Sequence, residues 1–214
     1  MLIDTHCHLA ADEFADDRDD VAAAARAAGV SALVVPAVDA TSFPEVRACC
    51  ARYPGCAPAY GIHPLYVQRA SQADLDTLRD WLRPSGDHST RPVAVGEIGL
   101  DLFSVDPDFQ RQEYFFVEQL KIARAADLPV LLHVRRAIDQ VLKNLRRIRV
   151  RGGIAHAFNG SRQQADEFIS LGFKLGQLLH LTKLRQLMIS DASRTDHGGN
   201  GIGGQLMLAD TKLL

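Results

Sequence analysis

The stretch VAVGEIGLD, residues 93–101, runs apolar to Gly96 and then places Glu97 where a buried strand should end. Two later stretches repeat the arrangement. PVLLH, residues 129–133, closes on His133, and GGIAH, residues 152–156, closes on His156. Near the start, LIDTHCH over residues 2–8 does the same with His6 and His8, and GIHP at 61–64 adds His63. Polar groups at the C-terminal ends of successive parallel strands are where barrel enzymes carry their chemistry. An open doubly wound sheet is the runner-up. Bringing so many strand ends to one place suits a closed ring better, so the expected fold is α/β, a (β/α)8 TIM barrel.

Working outward, short apolar runs alternate with longer helical patterns, as repeated βα units require. Strands are expected at Leu2–Asp4, Ala32–Val35, Ala57–Tyr60, Val93–Gly96, Val130–His133, Gly153–His156 and Phe173–Gly176. Helical spacing of apolar residues marks Asp17–Ala28, Ser71–Leu82, Asp108–Ala126 and Ser161–Leu171. Gly29, Gly172 and the Asp127-Leu128-Pro129 break are expected to close three of these helices. After Gly176 the chain contains no Val, Pro or aromatic residue and passes through the Gly-dense TDHGGNGIGG, residues 195–204. The expected division is therefore a barrel over residues 1–176 and a divergent tail over 177–214. A helix at Leu181–Ile189 and an eighth strand at Leu206–Leu208 are weakly patterned, so the barrel is expected to be incomplete or altered in its last one to two βα units.

The composition excludes little. The chain has 214 residues, 47% hydrophobic and 23% charged, and a net charge of -2 that gives no global pull toward nucleic acid or acidic membranes. No apolar run approaches the ~18 residues of a membrane helix, and the N-terminus lacks the basic start of a signal peptide. A cytoplasmic location is the expectation, with no membrane and no obligate protein partner evident. Cys7, Cys49, Cys50 and Cys56 form no C-x-x-C pair, so reduced core thiols are expected. Cys7, between two histidines, should point away from both along an extended chain.

His6 and His8, two residues apart, can project from one face and grip one ion, although a pair of surface histidines would look the same. Glu97 follows a buried run, where a carboxylate is costly unless something positive neutralises it. A metal would do so, and so would a salt bridge to Arg135. Asp101, four residues on, is expected near the rim of the same pocket. A lone strand-end histidine is more often a hydrogen-bonded core residue than a ligand. It is the repetition at His133 and His156 that makes the cluster informative. Residues 135–151 hold seven basic side chains and one acid, Asp139. That run reads better as the solvated face of an outer helix than as a nucleic-acid track.

The motifs IDTHCHL, GIHP, AVGEIGLDLF, DPDFQRQ, LPVLLHVRR and AHAFNGS, in this order from Met1 to Gly176, resemble the TatD family of metal-dependent hydrolases and deoxyribonucleases. The resemblance implies a TIM-barrel fold, two divalent metal ions and hydrolysis of phosphodiester bonds, typically in DNA. It makes His6 and His8 ligands of the first metal, Glu97 the bridging and catalytic carboxylate, and His133 and His156 ligands of the second. Two metals of this kind activate water for attack on phosphorus. Zinc, magnesium and manganese all suit such a donor set. DNA or a small phosphodiester is the implied substrate, with His63, Asp101 and Arg135 placed to contact it, although His63 reads equally well as a structural histidine that fixes the Gly61–Pro64 turn. The family also expects a final aspartate in a Glu-Thr-Asp-Ala-Pro context, and the chain has none. Asp196 follows a threonine and Asp210 follows LMLA, but neither matches fully. The tail leaves the family pattern as a frameshift or truncation would make it do. Two other readings follow: an inactive or impaired chain, and a carbon–nitrogen amidohydrolase. Many of the latter bridge their metals with a carboxylated lysine, whereas Glu97 fills that place here.

Overall fold

The structure, a computed structural model, describes residues 2–83 and 91–176. Seven strands run through it: β1 (Leu2–Asp4), β2 (Val30–Pro36), β3 (Cys56–Tyr60), β4 (Ala94–Asp101), β5 (Val130–Arg135), β6 (Gly153–Ala155) and β7 (Phe173–Leu175). All six pairings are parallel, and the strands lie side by side in chain order. Helices α1 (Arg18–Ala27), α2 (Phe43–Arg52), α3 (Gln72–Trp81), α4 (Phe109–Ala125), α5 (Ile138–Arg147) and α6 (Arg162–Ser170) make the crossovers. Strict chain order with no reversal point excludes the doubly wound alternative, which needs one.

The sheet is curled. Flat, β1 and β6 would stand about 24 Å apart, five spacings of about 4.8 Å. Yet the His6 ring, just beyond β1, stacks on the His156 ring, just beyond β6, with centroids 4.1 Å apart. The seven strands thus form a half-barrel, an incomplete TIM barrel. The tail, with the Leu181–Ile189 helix, the Leu206–Leu208 strand and both candidate aspartates, lies outside the described residues.

Helix ends follow local chemistry. Ser161 and Gln164 form a reciprocal capping box at the start of α6, and Asp108 accepts the Arg111 N–H at the start of α4. Gly29 and Gly172, both at φ 86°, take the left-handed turn after α1 and α6. Helix α2 lies in a segment for which no helix is expected above. It buries Phe43, Val46, Cys49 and Cys50, and Pro44 sits in its first turn, where the missing N–H costs nothing. Helix α5 buries Val141, Leu142 and Leu145, and all seven cations of residues 135–151, three of them on this helix, are exposed. Cys7 packs in the main core, and the four cysteines are free and buried. No helix among the described residues is long and apolar enough to cross a membrane.

The largest departure in the sheet is β4. It continues past the expected end at Gly96 to Asp101, with every residue buried. A glutamate and two glycines look like the end of a strand, but here the glutamate is held by partners from other strands. Gly99, at φ 149°, lies so close to β5 that a Cβ would come within 1.9 Å of the His133 carbonyl oxygen. Glycine at that point lets the two strands carry their polar residues into contact.

Candidate metal centre

Glu97 stands at the middle of the site, 1% exposed. Its Oε2 lies 3.2 Å from His6 Nε2 and 3.5 Å from His8 Nε2. Its Oε1 lies 2.9 Å from His133 Nδ1, contacts His156 Nε2, and is 3.8 Å from His63 Nε2. Five imidazoles from the ends of β1, β3, β5 and β6 therefore surround one carboxylate. Arg135 is not its partner. That guanidinium lies against Phe103 instead.

The imidazoles also meet one another. His6 Nε2 and His8 Nε2 are 3.1 Å apart, as are His63 Nε2 and His133 Nδ1. Donor atoms of His6, His8 and Glu97 all lie within 4.8 Å of one another, and so do those of His63, Glu97 and His133. Nitrogen and carboxylate donors crowded this closely fit a divalent cation better than they fit each other. Among the described residues the buried Nδ1 atoms of His6 and His156 have no hydrogen-bond partner, so neither ring is committed elsewhere there.

The neutral state of His6 and the ionised state of Glu97 agree with that fit. Burial pushes His6 and His63 down to about 3, so both rings are neutral near pH 7. Burial alone would raise Glu97, but His6, His156 and His133 around it hold the carboxyl well below its ordinary range. For His133 burial acts downward, and the hydrogen bonds to Glu97 and then Asp101 overcome it and raise its pKa.

Asp101 does not sit on the open rim. It is 1% exposed, its Oδ2 lies 2.9 Å from His133 Nε2, and its Oδ1 accepts the Phe103 N–H. His63 is buried, and its Nδ1 accepts the Leu65 N–H at 3.2 Å. Arg135 is exposed two residues beyond His133.

Two supporting residues escaped the sequence reading. Gln112 and Gln119 of α4 are buried and clamp backbone at the end of β4 and just beyond β3. Gln119 binds both the N–H and the C=O of Ile62, at 2.7 and 3.0 Å, and so fixes the approach to His63. Gln112 binds both groups of Asp101 at 2.8 and 3.0 Å. Seven residues apart, they share a helix face with Phe115, Phe116 and Ala123. A polar pair on an otherwise apolar face was the available signal.

The family model described as TatD related DNase matches residues 3–195. The chain belongs to the TatD family. It is a metal-dependent hydrolase of that family, and His/Glu clusters like those above fit a divalent metal. The TatD chain is 43% identical over 178 residues to YjjV of Escherichia coli K12, described as an uncharacterised metal-dependent hydrolase, covering 82% of this chain and 67% of that protein. It is 32% identical over 178 residues to a 3'-5' ssDNA/RNA exonuclease TatD from Pantoea, covering 82% of this chain and 66% of the relative. The crystal structure of YjjV superposes with a TM-score of 0.76 at 42% identity, over 81% of this chain and 66% of that one. A TatD family hydrolase from Entamoeba histolytica, at 19% identity and a TM-score of 0.70, shares the fold. The chain thus spans about two thirds of the length of the curated relatives it matches.

Proposed function

We propose that this chain hydrolyses phosphodiester bonds, in DNA or a small phosphodiester, with two divalent metal ions held around Glu97. In this reading His6 and His8 would hold one ion, His133 and His156 would hold the other, and Glu97 would offer one carboxylate oxygen to each. One observation carries it: a single buried carboxylate turns one oxygen toward His6 and His8 and the other toward His133 and His156. When bound, such ions polarise a phosphoryl oxygen and lower the pKa of water. Zinc suits the imidazoles, while magnesium or manganese suits the carboxylate.

The remaining side chains bind and orient. His63 uses Nδ1 as an acceptor, so its neutral ring carries the proton on Nε2, facing the site. That makes it a donor to a phosphate oxygen and a poor ligand, although its Nε2 lies inside one donor cluster. Arg135 offers a guanidinium fork that matches phosphate oxygens. Asp101 is buried behind His133 and is assigned a positioning role. It holds Nε2 and leaves Nδ1 for the site, as carboxylate partners of metal-bound histidines commonly do.

A second reading, a chain that binds metal but turns over slowly, is favoured by the lack of a Glu-Thr-Asp-Ala-Pro motif. Cleavage of labelled single-stranded DNA with zinc, magnesium or manganese, in wild type and His6→Ala, separates the two. Divalent-dependent cleavage lost in the variant supports phosphodiester hydrolysis. Bound metal without cleavage supports the slow chain, and no bound metal overturns both.

A further inference from the structure

Beside the site Arg135 meets two side chains that the reaction above does not use, Phe103 and Arg136. Phe103, two residues beyond Asp101, is 45% exposed. The Arg135 guanidinium carbon lies 3.8 Å from its ring centroid and that of Arg136 lies 4.4 Å away. The three planar groups are tied to the centre by short paths. Asp101 pairs with Arg135 in the β4–β5 register, the Leu102 N–H donates to the Arg135 carbonyl, and the Phe103 N–H donates to the carboxylate that holds His133.

Two features make this more than surface packing. Neither guanidinium has a carboxylate within ion-pair distance among the described residues, whereas Arg52, Arg69, Arg79, Arg83 and Arg146 each have one. Two like charges gathered on one ring repel each other unless an anion joins them. In addition, Arg136 sits in a left-handed turn at φ 54°, a backbone state that costs a non-glycine residue about 1 kcal/mol or more.

We propose that Phe103, Arg135 and Arg136 form a stacking platform for a nucleobase adjoining the scissile phosphodiester, with the guanidinium groups taking the neighbouring phosphates. The inference rests on the phosphodiesterase reading and adds to it the residues that would hold an unpaired base beside the reacting phosphate. A partly exposed aromatic with guanidinium planes accepts an unpaired base of any identity, and a duplex keeps its bases stacked inside. The platform therefore selects for unpaired bases and not for sequence.

The test is binding, measured by fluorescence anisotropy on the protein as isolated, with a phosphorothioate-linked oligothymidylate and its abasic counterpart. Wild type should prefer the base-bearing strand by about tenfold, the order expected from one stacked base. Phe103→Ala should collapse that preference, and Phe103→Trp should restore it. Arg135→Ala with Arg136→Ala should weaken both strands and lower the salt slope by about 1.4, two phosphate contacts on a single strand. Equal affinity of wild type for the two strands, no binding of either, or a preference that survives Phe103→Ala would overturn the platform. Because the readout is binding, absence of cleavage counts against the phosphodiesterase reading alone.

Discussion

Glu97 is the residue on which the account turns, because a carboxylate at 1% exposure needs compensation from every side. Its place after an apolar run was legible in the sequence, and so were the five histidines that face it. The role of Asp101 was not. A strand-end aspartate facing substrate and one holding a histidine from behind have the same local pattern, and only the register of β4 on β5 separates them. If Asp101 acts through His133, Asp101→Asn should keep the fold by circular dichroism and lower metal affinity about 10–100-fold. Unchanged affinity would return Asp101 to a substrate role. The buried thiols make a second residue-scale prediction. Burial raises Cys56 from an ordinary 9.0 to about 11 and Cys7 to about 12. A group that stays protonated in the fold contributes stability that is complete below its unfolded pKa and is lost as pH rises toward its folded one. Urea midpoints should therefore fall between pH 9 and 11, and less steeply in Cys56→Ala.

At the scale of elements, strands were legible wherever an apolar run ended on a turn signal, and β1 matches residue for residue. Helix α2 was missed although Phe43, Val46 and Cys50 keep helical spacing, because two cysteines and a proline mask the pattern. The strand β4 was cut short because its continuation depends on partners from β1, β5 and β6 that no local window contains. Helix α4 has a role beyond covering the sheet, since Gln112 and Gln119 satisfy backbone at both ends of the site. Replacing Gln119 by Leu leaves the Ile62 N–H and C=O buried without partners, at about 1–3 kcal/mol for each unsatisfied group. Thermal unfolding should show that loss. A Gln119→Leu protein as stable as wild type would remove the clamp from the account.

For the whole molecule, the net charge of -2 provides no long-range attraction for a polyanion, so nucleic-acid binding has to come from local groups such as Arg135 and Arg136. The curl of the sheet is what makes the centre. It brings the ends of β1 and β6 together so that His6 stacks on His156 across the barrel mouth. That convergence was inferred from where the polar residues fall, whereas closure could not be read from a tail with so little pattern. The most direct test of the central claim is metal content per chain, by elemental analysis of a monodisperse gel-filtration fraction of wild type and Glu97→Ala. A Glu97-centred pair of sites predicts close to two divalent ions per wild-type chain and less than half of that in the variant. No metal in wild type, or equal metal in both proteins, would contradict it.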